Sequence, residues 1–326
     1  MKNKVVRACL GLIFMCIFTL SIGCTKTKNG SFALHNERLI VWENPDSAWH
    51  ILQQIDPQTL THHEQVIYQL EYQLALSRTQ HTPYYKDTIL NLLPHLIDAD
   101  DLLALGEAYY MLGTSFNHTS DYQSSIFYLK QAEETLETFL ENKNISDQEK
   151  VLANHILGIT WFCLGNTYES EMLYEIAHEY YHKAIPLLEQ HTHTVFLACA
   201  YRDMARTNAL LLGNKDSTKL WFAQAERYVQ QTNNPLLATE IAAYKYQYCE
   251  TDSIDQRLRA CLTLADKYGI STRYAEIIEI YLNKQNIDSA AYYLDKLTPT
   301  DSTYAYWFEQ NHAYWNSRIL SAQDKN

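Results

Sequence analysis

His178-Glu179-Tyr180-Tyr181-His182 is the stretch with the plainest chemical potential in this chain. Two imidazoles four residues apart share one face of a helix and can hold a single zinc ion, while the carboxylate between them activates a bound water. His191 and His193 follow within reach as third ligands. The reaction class would be metal-assisted hydrolysis. The element that carries the motif points it elsewhere, however. Ala177, Tyr181 and Ala184 form an apolar stripe on the same helix. At about 100° per residue, His178 and His182 fall beside that stripe, toward solvent. A catalytic zinc needs a dry, shaped cleft, which the outer face of such a helix does not offer. The motif is read as incidental, and a zinc hydrolase on His178, Glu179 and His182 is kept as an alternative. No phosphate loop and no G-x-S-x-G nucleophile turn occurs. The remaining polar residues nominate no catalytic set, no metal and no cofactor.

Cys24 is the other residue with a chemistry of its own. Lys2, Lys4 and Arg7 open the chain, and a mostly apolar run from Ala8 to Ile22 follows, too short for a typical membrane span. Ser21-Ile22-Gly23 then precede the cysteine. This resembles the signal peptide of bacterial lipoproteins, cut before a cysteine that is lipidated. Ser21 stands where that family prefers Leu. The resemblance implies a signal over residues 1–23, a lipid on Cys24 and a tether over 24–43. Thr25 after the cysteine implies the outer membrane. Lys26-Thr27-Lys28-Asn29 lacks the acidic cluster that sends some lipoproteins of the Bacteroides group to the cell surface, which leaves the periplasmic face. Loss of the three basic signal residues takes the net charge from −12 to −15. Such a balance excludes nucleic acid as the expected partner, since phosphate binding needs clustered Lys and Arg. Cys9 and Cys16 leave with the signal. Cys163, Cys199, Cys249 and Cys261 remain among apolar residues, and a Cys249–Cys261 bridge is one of three pairings open to them.

The elements that must position everything else are helices. Only 9 Gly and 7 Pro occur in 326 residues, and runs rich in Val, Ile and Thr are scarce. Thr61 with Glu64, Ser120 with Gln123, Ser146 with Glu149, and Ser253 with Gln256 read as capping boxes. Asn44-Pro45, Thr82-Pro83 and Asn234-Pro235 read as helix starts with Pro in the first turn. About 14 helices, or seven pairs, lie between these marks.

One pair fixes the class. Trp161, Leu164, Gly165 and Tyr168, followed by Ala177, Tyr181 and Ala184, stand at the spacing of the tetratricopeptide (TPR) signature, a helix–turn–helix repeat of about 34 residues. The family has Phe at the place of Tyr181 and Pro at that of Glu189. Gly165 and Ala177 are small, so two backbones approach closely there. Tyr109, Leu112-Gly113, Phe116, Ser125, Leu129 and Ala132 repeat the pattern. Tyr274, Ile277, Tyr281, Ala290, Leu294 and Leu297 do so without the Gly, and Arg202, Ala205, Ala209, Thr218, Phe222 and Ala225 match poorly. The 52-residue step from Tyr109 to Trp161 predicts one long first helix from Ser146 to Tyr168. Thr303 to about Ser321, with Tyr304, Trp307, Tyr314 and Trp315, reads as a capping helix with one wet face. The expected fold is an all-α, TPR-like α-solenoid of about seven antiparallel helix pairs over residues 44–321, with a tail at 322–326.

The opening from Asn44-Pro45-Asp46-Ser47-Ala48 through Ile55-Asp56-Pro57 resembles TPR lipoproteins of the Bacteroides lineage. Longer members of that group continue into a transmembrane helix and a signalling segment, whereas this chain stops at Asn326. The resemblance implies a scaffold or sensor half. In TPR proteins the first helices line a concave groove. Its counterparts here are Tyr110, Thr114 and Asn117; Phe162, Asn166 and Glu169; and Asp203 and Thr207. Aromatic rings offer contact area and amides offer hydrogen bonds. The basic positions that clamp a peptide carboxylate in some TPR domains are not filled in the two best repeats. The expectation is a non-enzymatic scaffold in the cell envelope that binds a protein or peptide, with a sensory module as a further alternative.

Overall fold

The computed structural model describes residues 38, 40–42, 44–80, 84–190, 194–297 and 305–324, with backbone alone at 305–308. Cys24 and the signal, the tether up to residue 37, Thr82-Pro83, His191, His193, Thr303, Tyr304 and the Trp307 side chain lie outside those residues. Among the described residues fourteen α-helices follow one another from Pro45 onward, and no strand occurs. They are α1 (Pro45–Gln54), α2 (His62–Gln80), α3 (Lys86–Asp98), α4 (Leu102–His118), α5 (Tyr122–Glu141), α6 (Asp147–Ser170) and α7 (Tyr174–Gln190). Then come α8 (Thr194–Leu212), α9 (Lys215–Val229), α10 (Pro235–Tyr248), α11 (Ile254–Leu262), α12 (Arg273–Asn283), α13 (Ile287–Lys296) and α14 (Ala305–Gln323). The chain is the all-α, TPR-like α-solenoid that the repeat phase implied. The long first helix is there too, as the 24 residues of α6.

Local chemistry sets the boundaries. Thr61 and Glu64 close a reciprocal box at α2, and Ser146 and Glu149 another at α6, each with the backbone N–H of the first residue donating at 2.8 Å to the carboxylate. Asn44 and Asn234 cap α1 and α10 through their side-chain oxygens. Two expected boxes differ. Ser120 has φ 57°, and the N–H of Asp121 donates to the Phe116 carbonyl, so Ser120 ends α4 in a Schellman turn. Asp121 caps α5 in its stead. Ser253 precedes α11 without a side-chain cap bond. The Schellman turn recurs at Met172 and Gln285, which joins first helix to second with a left-handed residue each time. The four cysteines are free thiols, with no Cys249–Cys261 bridge.

Two compact units meet in sequence at Thr160 and Trp161. In the first, the fold begins earlier than Asn44. Residues 38 and 40–42 are helical, and Val41 and Trp42 are buried. Trp42 lies edge-on to His155 at 4.9 Å and tilted on Tyr110 at 5.7 Å. Arg38 pairs with the buried carboxylates of Glu71 and Glu107. In the second unit, Leu164, Ala177, Tyr181 and Ala184 have no exposure. A Cβ on Gly165 would sit 2.6 Å from Tyr181 Cδ1, which explains why only Gly serves there. Cys261, Ala265 and Ile277 form a further core, and Ile278, Ala290, Leu294 and Leu297 close with Trp315 and Ile319 of α14.

The pair α8–α9 departs from the expected register. On α8 the buried residues include Tyr201, Met204, Ala205 and Asn208, whereas Arg202 and Ala209 of the expected stripe are only half-buried. The first helix therefore repeats Trp161-Leu164-Gly165-Tyr168 one residue earlier than read. Thr218, Phe222 and Ala225 of α9 are buried as expected.

Candidate functional site

The one-residue shift decides which α8 side chains face outward. Arg202 and Arg206 take the places that Phe162 and Asn166 hold on α6. Together with Asn166, Glu169, Ser170 and Asp203 they line an open cavity of about 270 Å3. Arg202 grips Asp203 with two parallel bonds of 2.8 and 2.9 Å, and its third nitrogen donates to Glu240 of α10 at 2.9 Å. Arg206 donates to Glu169 Oε1 at 2.5 Å and to Asp203 Oδ1 at 3.2 Å. Its guanidinium lies over Tyr244 at 4.5 Å, and that of Arg273 approaches the same ring at 4.6 Å. The Tyr181 hydroxyl stands 2.8 Å from both Asn166 Oδ1 and Glu169 Oε2, with one proton to share between them.

Electrostatics keep the two arginines of this lining charged. Burial works against the positive charge of Arg202 and Arg206, and Asp203 and its neighbours more than offset it, so both sit above their ordinary value. Burial also pushes the Glu169 carboxyl above its ordinary value, against the pull of Arg206. Burial, then Asp203 and Glu169, raise the Tyr181 hydroxyl, which stays a neutral donor.

The expected groove residues are distributed as follows. Asn166 and Glu169 line the cavity. Asp203 does too, although it is almost wholly buried as the shared partner of two arginines. Thr207 is fully buried, bonded back to the Asp203 carbonyl and facing His178 Nδ1 at 2.9 Å. Phe162 is buried edge-on to Phe196. Tyr110 is buried against Trp42, and half-buried Thr114 bonds back to Tyr110 and Met111 carbonyls; neither they nor half-buried Asn117 line the cavity. Arg202 and Arg206 were missed. The signal was present: Tyr201 to Asn208 carries the apolar and small residues of a first helix when started one place earlier.

The histidine motif lies on α7. His182 and Glu179 are exposed, and His178 is half-buried through its contact with Thr207. Among the described residues no group of three or more His, Cys, Asp or Glu side chains is placed to hold one metal ion. Burial pushes the thiols of Cys163 and Cys261 up to about 12 and that of Cys199 up to about 11, so none of the three is a ready nucleophile.

No family model and no curated protein matches the sequence. Solved structures do match in fold. Aspartyl phosphate phosphatase F from Bacillus subtilis is similar over 85% of this chain and 72% of its own, at 15% identity and TM-score 0.56. The apo form of RapI is similar over 91% of this chain and 98% of its own, at 12% identity and TM-score 0.53. The fold is TPR-like. Identities this low carry the architecture and leave activity and partner to the chemistry of this chain's own side chains.

Proposed function

We propose that the protein is a non-enzymatic, membrane-anchored interaction module of the cell envelope, which holds a peptide segment of a partner protein on its first helices. The open cavity on α6 and α8 carries this reading. It is polar and presents two guanidiniums beside three carboxylates, those of Glu169, Asp203 and Glu240. A terminal carboxylate alone would meet Glu169 and Asp203 as well as the arginines. A segment with donors, acceptors and charges of both signs fits better, because it can exchange into the existing pairs without leaving one unpaired. Ser170 is exposed at the rim. Ser170→Trp should fill the cavity while leaving helicity unchanged. Site-specific crosslinking from position 166 in cells should then lose its main adduct. An adduct that persists in the tryptophan variant would place the binding surface elsewhere.

The anchor is part of the same proposal and rests on the sequence around Cys24. Cys24→Ala should release the protein from membranes or leave it unprocessed. A variant that fractionates and migrates like the parent rejects the lipid. No described helix is long and apolar enough to cross a membrane.

A further inference from the structure

A second polar cluster lies far from the cavity in sequence, within the first unit. His63 of α2 and His95 of α3 face each other, with Nδ1 of His63 3.3 Å from Nε2 of His95. Nε2 of His63 lies 3.1 Å from Asp101 Oδ2. The other oxygen of that carboxylate caps α4, accepting from the Ala104 N–H at 3.0 Å. Asp101 is thus held by the helix it starts and in turn orients an imidazole. His62 closes one side, its ring edge-on to His95 at 4.6 Å.

We propose that His63 and His95 form a two-ligand site for a late first-row divalent ion, with Asp101 as the positioning residue. Metal–imidazole bonds of about 2.0–2.1 Å at the tetrahedral angle place the two nitrogens about 3.3–3.4 Å apart. The observed 3.3 Å gap is already that of two ligands sharing one ion. A carboxylate that accepts from the far nitrogen of a ligating histidine is the usual outer partner of such sites. It fixes the proton on Nε2 of His63 and leaves the Nδ1 lone pair facing the gap. The proton now shared across the gap moves to Nδ1 of His95 when that ring changes tautomer, so no proton need be lost. The His63 side chain is 42% exposed, which gives the ring room to turn its lone pair onto the ion and leaves the remaining coordination positions to water. No third such side chain converges here, consistent with an open, exchangeable site rather than a closed structural one. Imidazole donors favour Cu2+ over Zn2+ in affinity.

The test uses the full chain without a polyhistidine tag, in a His178→Ala, His182→Ala background that removes the histidine pair at helical spacing on α7. Titration with Cu2+ should give one equivalent bound, with two nitrogen donors in the electron paramagnetic resonance hyperfine pattern. Zn2+ should raise the melting temperature, since the ion ties α2 to α3. His95→Ala should abolish both effects. Asp101→Asn keeps the helix cap and should weaken binding about 10–100-fold. Circular dichroism should match the parent in both variants. Copper binding that survives His95→Ala, or no binding in the parent background, overturns the site. An unchanged affinity in Asp101→Asn overturns the positioning role.

Discussion

His178 shows how one side chain reports its surroundings. Burial against α8 disfavours its charged form, with His182 adding to the effect, so it lies below its ordinary value of 6.5. As pH falls through that value the unfolded chain takes up a proton that folded His178 resists. Its contribution to stability is therefore complete above 6.5 and declines below it. Urea unfolding midpoints measured across this range should fall on acidification, and His178→Gln should flatten the slope. An equal slope in both proteins would assign the acid sensitivity to other groups. Much of this residue's role was legible beforehand. Ala177, Tyr181 and Ala184 already put the histidines beside the buried stripe. What spacing could not show was that α8 covers one of the two. The arginines were less legible, since a one-residue error in phase exchanges a buried position for an outward one.

Pairs of helices are the level at which the sequence speaks most plainly. Gly165 and Tyr181 belong to different helices of one repeat and interlock, because the ring occupies the space a Cβ would need. Gly165→Leu should cost about 1–3 kcal/mol through overpacking, read as a lower urea midpoint. It should also displace the Tyr181 hydroxyl from Asn166 and Glu169, so the crosslink from position 166 should weaken as well. A variant as stable as the parent would mean that the two helices are not apposed at this point. The signature predicted this contact because small residues recur where backbones meet. It failed at α8–α9 for a physical reason. Asn208 stands where Tyr168 stands on α6, and its amide binds Ser217 and Thr218 at 2.8 Å each. A polar clasp replaces an aromatic contact there, and apolar periodicity does not register it. The cap at Ser120 was misread similarly, since it and Asp121 both qualify by type and only φ separates them.

Within each unit the helices pack chiefly on their neighbours in sequence, so damage should stay local. Ile319 of α14 is 3% exposed and closes the core of α12 and α13 with Trp315. Ile319→Ala should cost about 2–5 kcal/mol. Hydrogen exchange should then show lost protection in α12 and α13 while α7 and α9 keep theirs. Loss spread evenly over all helices would instead mean one cooperative block. The all-α class and the helix count were legible because caps and turns punctuate the chain. The start of the fold was not, because Leu39-Ile40-Val41-Trp42 is too short an apolar run to show a helical period, and only their burial assigns Val41 and Trp42 to the core.

The rings between paired helices carry a last consequence. Phe116 stacks on Tyr128 at 5.4 Å, Tyr168 on Tyr180 at 5.5 Å, and Tyr281 on Tyr293 at 5.6 Å, with planes within 10° of parallel. These are equivalent positions in three repeats. Chromophores so close and so alike in orientation couple their electronic transitions. Three repeats thus each hold an optical reporter of their own closure, and mutating one ring at a time would make the order in which the array opens visible as a spectrum.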